Sequence, residues 1–186
     1  MAEENVPLLV NLDEYEAAAR AILPRMAFDY IAGGAHDEAT VRGNRVAFAQ
    51  WRLLPRLLRG VASVDTTTTV LGQPVALPVL LAPTGFHRQA HPEGELATAR
   101  AARAGGTIFT LSTVATSAIE EVAPQAGAWW FQLYVYQDRA ITRDLVQRAE
   151  AAGASALVVT VEYALEPLPG NCRLTLTFGT AAPEAS

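Results

Sequence analysis

Ala128-Trp-Trp-Phe-Gln-Leu-Tyr-Val-Tyr136, a polar segment from Asp138 to Gly153, and then Ala156-Leu-Val-Val-Thr-Val161 decide the fold. The first run is long and aromatic, which predicts a strand. The polar segment opens on Asp138 or Thr142 as a cap, reaches Ala152 and stops at Gly153, which predicts a helix. The last run is a short apolar strand. A strand, a helix and a strand at this spacing imply a right-handed βαβ unit, and so parallel pairing.

The same alternation extends upstream. Val79 to Ala82 and Thr107 to Leu111 read as strands. Between them His91-Pro-Glu-Gly-Glu95 opens a helix that Gly105-Gly106 closes, with Pro near the first position and acids in the first turn. Ser117-Ala-Ile-Glu120 has capping-box spacing and starts a short helix. Four strand–helix units predict an α/β fold, the amino-terminal half of a TIM (β/α)8 barrel with strands one to four. An open parallel sheet has the same local pattern. A complete barrel takes roughly 250 residues, and this chain has 186. An isolated half-barrel would leave strands one and four as unpaired edges beside an open apolar core, which favours association.

Before Pro78 the texture is different. Asp13 can cap a helix over Glu14 to Ile22, and Pro24 opens a second that Gly33-Gly34 ends. Asp37 can cap a third, reaching about Gln50, and Trp51-Arg-Leu-Leu-Pro55 leaves it extended. Asp65 to Val70 and Val75 to Pro78, joined by Leu71-Gly-Gln-Pro74, read as a hairpin. The expected organisation is a helical lead-in and hairpin over 1–74, a half-barrel over 75–162 and a divergent loop or tail over 163–186.

Half the residues are hydrophobic (51%) and 18% are charged, which is globular composition. A net charge of −5 gives no basic footprint for nucleic acid. No apolar run is long enough to span a bilayer, and the start carries no secretory signal. Cys172 stands alone, which excludes an internal disulfide and fits a reducing cytoplasm. No metal site is expected.

Carboxyl ends of parallel strands are where such folds place their sites. On the 128–136 strand, Trp130, Gln132, Tyr134 and Tyr136 share one face, and Trp129, Phe131, Leu133 and Val135 the other. A buried amide and phenol need partners. They can satisfy each other or water inside the core, or meet the polar edge of a ligand.

Several runs carry a resemblance: Pro24-Arg-Met-Ala-Phe-Asp-Tyr-Ile-Ala-Gly-Gly34, Leu81-Ala-Pro-Thr-Gly85, Ala90-His-Pro-Glu-Gly-Glu95, Thr110-Leu-Ser112, Trp130-Phe-Gln-Leu-Tyr-Val-Tyr136 and Leu157-Val-Val-Thr-Val161. In this order they resemble the FMN-dependent 2-hydroxy-acid oxidases and dehydrogenases, the family of glycolate oxidase, lactate oxidase and mandelate dehydrogenase. The resemblance implies FMN as cofactor and oxidation of a 2-hydroxy acid to a 2-oxo acid. It places Pro83, Thr84 and Gly85 against the flavin near N5, where a residue without Cβ lets main chain come close. Ser112, Gln132 and Thr160 resemble the partners of the isoalloxazine ring, and Tyr134 the active-site tyrosine that meets substrate. Phe28 and Phe86 are candidate pocket walls. His91 and Glu93 are expected to be structural, and His87 and His36 solvated; none is assigned as the base.

Two departures stand out. Phe28 occupies a position where most of the family has a tyrosine that bonds the substrate carboxylate, so an aromatic substrate or weaker acid binding is expected. After Val161 the family continues with Asp, Pro, Gly and paired arginines; here Glu162-Tyr-Ala-Leu-Glu-Pro-Leu-Pro-Gly-Asn-Cys-Arg173 follows. By resemblance, the catalytic histidine, the carboxylate-clamping arginine, the lysine near N1 and the phosphate loops belong to the second half of the barrel. The expectation is therefore a flavin-facing half that needs a complementary carboxy-terminal half-barrel chain or a homo-oligomer. The alternatives are a catalytically inactive interaction or regulatory subunit, or a truncated gene product.

Overall fold

The computed structural model describes residues 8–161 and 177–179. The chain divides into two compact units, Met1–Ala62 and Ser63–Ser186.

In the first unit, α1 spans Leu12–Ile22, α2 Arg25–Ala32 and α3 Ala39–Ala49. The cap of α1 is Asn11, not Asp13: its side chain accepts from Glu14 N at 2.9 Å, while the Glu14 carboxylate reaches back to Val10 N. Asp13 is engaged elsewhere, because Arg45 of α3 reaches both Asp13 (3.2 Å) and Glu16 (2.6 Å) of α1. Pro24 precedes α2 and Gly33 ends it, as the local sequence predicts. Asp37 does not cap α3. Glu38 takes the N-cap position with φ 55° and its longer side chain accepts from Gly34 N at 3.0 Å, spanning the Gly33-Gly34 turn.

The second unit opens on a hairpin, β1 (Thr68–Val70) against β2 (Gln73–Val75), paired Thr68↔Val75 and Val70↔Gln73. The connection is two residues, shorter than the expected four. Leu71 (φ 48°) and Gly72 (φ 76°) both take left-handed backbone, the type I′ arrangement whose twist matches the flanking strands.

The main sheet has the order β3-β4-β5-β6. Strands β3 (Phe109–Leu111), β4 (Trp129–Tyr134) and β5 (Leu157–Thr160) are parallel, as the βαβ reading requires. The expected strand over 79–82 contracts to a parallel bridge, Leu81↔Phe109, in which Leu81 N donates to Ile108 O and Thr110 N to Leu81 O, both at 3.0 Å. Pro78 and Pro83 bracket that run and supply no N–H, which limits the pairing. The far edge of β5 is not left open as expected: β6 (Thr177–Gly179) pairs with it antiparallel. Arg173 and the remaining changed segment after Val161 lie outside the described residues.

Between the parallel strands run α4 (Gly94–Ala104), α5 (Ile119–Val122) and α6 (Arg139–Ala151). Trp129, Phe131 and Leu133 of β4, with Phe109 and Leu111 of β3, form one apolar cluster with Ala99, Ala102, Ile119, Val122 and Ala149 of the helices. On the opposite face Ile108, Trp130 and Ala156 cluster with Val75 of the hairpin. The period-two pattern thus sends one row of β4 to the helices and frees the other for a site. Asp138 caps α6 by accepting from Ala140 N at 2.8 Å, and Thr142 instead accepts from Tyr136 N at 3.0 Å. Ser117 does not cap α5. Glu121 accepts from Ala118 N at 3.0 Å, and the Ser117 hydroxyl is diverted into a buried network. Arg148 of α6 grips Glu120 of α5 through two bonds of 2.8 and 2.9 Å.

Two substitutions test this account by urea denaturation. Leu71→Asn should raise stability by about 0.5–1 kcal/mol, since asparagine tolerates left-handed backbone better than leucine. Phe131→Ala, which removes a ring that is 1% exposed, should cost about 3–5 kcal/mol. A loss on Leu71→Asn would contradict the turn geometry.

Candidate functional site

At the carboxyl ends of the parallel strands, on the face turned from α4–α6, polar side chains from three strands meet. Ser112 follows β3, Gln132 and Tyr134 lie in β4, and Thr160 ends β5, with Gln132 registered to Val158 and Tyr134 to Thr160. Gln132 is 2% exposed. Its Oε1 accepts from Ser112 Oγ and from Thr113 N, both at 3.1 Å, and its Nε2 donates to Thr160 Oγ1 at 2.9 Å. Three of the expected residues thus form one hydrogen-bonded row.

The direction of the row follows from the backbone. Thr113 N–H can only donate, so the carboxamide atom facing it is the oxygen, and the nitrogen faces Thr160. Ser112 Oγ accepts from Val114 N at 3.2 Å, which leaves its own hydrogen for Gln132. Thr160 Oγ1 accepts from Gln132, so its hydroxyl hydrogen is left for another acceptor. The row therefore ends in a donor.

Thr113 is the residue that sequence reasoning missed. Its Oγ1 donates to Gln132 O at 2.5 Å and accepts from Tyr134 N at 3.1 Å. It completes the ladder beyond Leu111 with a side chain where backbone would otherwise pair. Nothing in Thr110-Leu-Ser-Thr113 distinguishes this threonine from Thr110; only the register does.

Pro83, Thr84 and Gly85 form the loop after the Leu81 bridge, and Pro83 and Thr84 are exposed. Phe86 closes that loop in left-handed backbone (φ 56°), and its N–H donates to Val114 O at 3.1 Å. The loop is thereby tied to the one that carries Ser112 and Thr113. Phe28 belongs to the first unit, where it is buried and the Arg20 guanidinium sits 4.2 Å from its ring centroid. Trp130 Nε1, on the same strand face as Gln132, is buried without a partner among the described residues.

His87 is not solvated as expected. It is half-buried, its Nδ1 lies 3.2 Å from Thr98 Oγ1, and its ring meets Phe109 edge-on at 6.4 Å. His91 Nδ1 accepts from Glu93 N at 3.2 Å, and Glu93 pairs with Arg100 at 2.7 Å, both helix-start roles. Among the described residues no cluster of His, Cys, Asp and Glu is placed to hold a metal, and no helix is long and apolar enough to cross a membrane.

Glu95 is fully buried at the start of α4. It accepts from His87 N (3.3 Å), Thr116 N (2.7 Å), Thr116 Oγ1 (2.7 Å) and Ser117 Oγ (2.9 Å). Burial acts to raise its pKa, but the hydrogen bonds from Thr116 and Ser117 outweigh it and bring the carboxyl from 4.5 down to about 2. A depressed folded value means that the carboxylate's contribution is complete above about pH 4.5 and is lost as pH falls through about 2. Urea unfolding across that window should therefore show a shallower acid-induced loss for Glu95→Gln than for the unsubstituted chain. Equal slopes would contradict the assignment.

Comparison with known proteins gives the family. A family model described as FMN-dependent dehydrogenase matches residues 19–171. Glycolate oxidase 1 of Zea mays is 52% identical over 155 residues, covering 83% of this chain and 42% of the maize protein. The glycolate oxidase of Spinacia oleracea is 51% identical with the same coverage. A crystal structure of mandelate oxidase superposes with a TM-score of 0.79 at 44% identity, over 83% of this chain and 45% of that one. The chain spans less than half the length of these relatives. The resemblance drawn from the strand-end motifs holds: this chain belongs to the FMN-dependent dehydrogenase family, whose cofactor is FMN.

Proposed function

We propose that this chain supplies the flavin-facing half of an FMN-dependent (S)-2-hydroxy-acid oxidase or dehydrogenase. The observation that carries the reading is the polarity of the Ser112–Gln132–Thr160 row, which ends in a hydroxyl donor at the strand ends. The pyrimidine edge of a flavin is rimmed by carbonyl acceptors, so a donor-ended row fits it. Bound FMN would accept the hydride equivalent from the hydroxylated carbon of the substrate.

The chain's own residues then have separate tasks. Gln132 and Thr160 orient the ring edge, and Ser112 and Thr113 hold the Gln132 carboxamide in its one productive direction. Pro83, Thr84 and Gly85 would line the ring near its reactive nitrogen. Tyr134 meets the substrate, and Phe86 is a pocket wall. The relatives named glycolate oxidase and mandelate oxidase bracket the substrate class, a small or an aromatic 2-hydroxy acid. By resemblance, phenylalanine at position 28, where most of the family has a tyrosine, favours the aromatic end or a weaker binding of the acid.

In this reading the four parallel positions, from the Leu81 bridge to β5, are half of a barrel. A complementary carboxy-terminal half supplies the base, the carboxylate clamp and the phosphate anchor. A second reading, an inactive interaction subunit, is favoured by the antiparallel β6 on the edge of β5, where barrel closure needs a parallel neighbour.

Titration of the purified chain with FMN, followed by flavin fluorescence and absorbance, separates the two. The first reading predicts saturable binding, weakened roughly 5- to 10-fold by Gln132→Leu and by Thr160→Val, the worth of one hydrogen bond each. Adding the carboxy-terminal half of a relative should give a yellow complex. No binding at millimolar FMN, alone or with that half, would favour the inactive subunit.

A further inference from the structure

Among the described residues, Glu95 is the one charged side chain that is buried. Its four donors are all uncharged. A carboxylate buried without a cation is costly unless every donor is aimed at it. Starting a helix does not require this, since Glu93 two residues earlier is exposed and serves α4 from the surface.

What the burial does achieve is a three-way junction. Oε1 takes His87 N and Thr116 N, while Oε2 takes the hydroxyls of Thr116 and Ser117. Beside it Phe86 N donates to Val114 O at 3.1 Å and Arg88 N to Thr116 Oγ1 at 3.3 Å. Gly94 makes the approach possible. It has φ 52°, and a Cβ there would lie 2.8 Å from Arg88 Cγ. Thr116 and Ser117 end the loop that begins with Ser112 and Thr113, the two residues that grip Gln132. His87 follows directly on the Pro83–Phe86 loop.

We propose that Glu95 is a positioning residue that fixes the separation between the Pro83–Phe86 loop and the Ser112–Ser117 loop, and so the width of the slot for a flavin ring edge. The proposal rests on the FMN reading above. It assigns a task to the Glu95 of the Ala90–Glu95 motif that neither helix capping nor charge pairing accounts for. The carboxylate's low pKa is consistent with it, since the junction holds the ionised form.

The test uses the full chain with Glu95→Ala, Glu95→Gln, Ser117→Ala and, as a control from the helix-side core, Val122→Ala. Amide hydrogen exchange of Thr113 and Val114 is measured without FMN, and FMN affinity is measured by titration. Glu95→Ala should speed exchange at both amides about tenfold beyond Val122→Ala at matched stability, and weaken FMN by a similar factor. Glu95→Gln should restore both to within about threefold, because its oxygen keeps the two backbone donors while its amide turns to hydroxyls that can accept. Ser117→Ala should fall between, and it carries the comparison if Glu95→Ala does not fold. Glu95→Ala behaving like Val122→Ala in both readouts, or Glu95→Gln no better than Glu95→Ala, would overturn the proposal. If the unsubstituted chain binds no FMN, the flavin reading falls while the exchange comparison still decides the role of Glu95.

Discussion

A carboxamide buried at the centre of a parallel sheet has to find partners for its oxygen and nitrogen, and in this protein the satisfaction of Gln132 organises what surrounds it. The side chain is 2% exposed, so water cannot repair a missing bond, and each unmet group there costs about 1–3 kcal/mol. The solution draws on three successive strand ends: Ser112 and Thr113 on one side and Thr160 on the other. Those residues come together only because β3, β4 and β5 are parallel and in the observed register. The apolar row of the same strand supplies the complementary constraint. Phe131 and Leu133, packed against the helices, keep β4 from slipping by one residue, which would exchange the two faces.

The second constraint is electrostatic. Glu95 stores a full negative charge in the interior and is tolerated because neutral donors surround it. The two networks share one loop: its first residues serve Gln132 and its last serve Glu95. Local geometry at the strand ends is therefore over-determined from both sides, which is how a site holds a ligand edge without rearranging. By contrast, the Arg148–Glu120 pair is exposed and adds little beyond joining α5 to α6.

Much of this was legible in the sequence. The alternation of strand and helix from Val79 to Val161 followed from composition and turn residues. The period of two places Gln132 on the face opposite Phe131. The order of the strand-end motifs carried the family. What could not be read were choices between near-equivalent neighbours. Asn11 and Asp13 are both good caps, and Arg45 on another helix decides between them. Ser117 has the spacing of a capping box, yet a buried carboxylate outcompetes that use. Glu93 and Glu95 look alike as helix-start acids, but the left-handed Gly94 between them sends one outward and the other inward. Thr113 was hidden for the same reason: its role depends on register, which belongs to the assembled sheet.

The central claim is that the row across β3, β4 and β5 is polarised, with Gln132 oxygen toward Thr113 and nitrogen toward Thr160. The most direct measurement is the side-chain amide NMR signal of Gln132 in glutamine-labelled protein, recorded before and after adding FMN. The account predicts two well-separated, slowly exchanging Nε2 proton signals, with a bond detectable to Thr160 and a further shift when the flavin binds. A pair of averaged, rapidly exchanging signals that FMN leaves unchanged would contradict it.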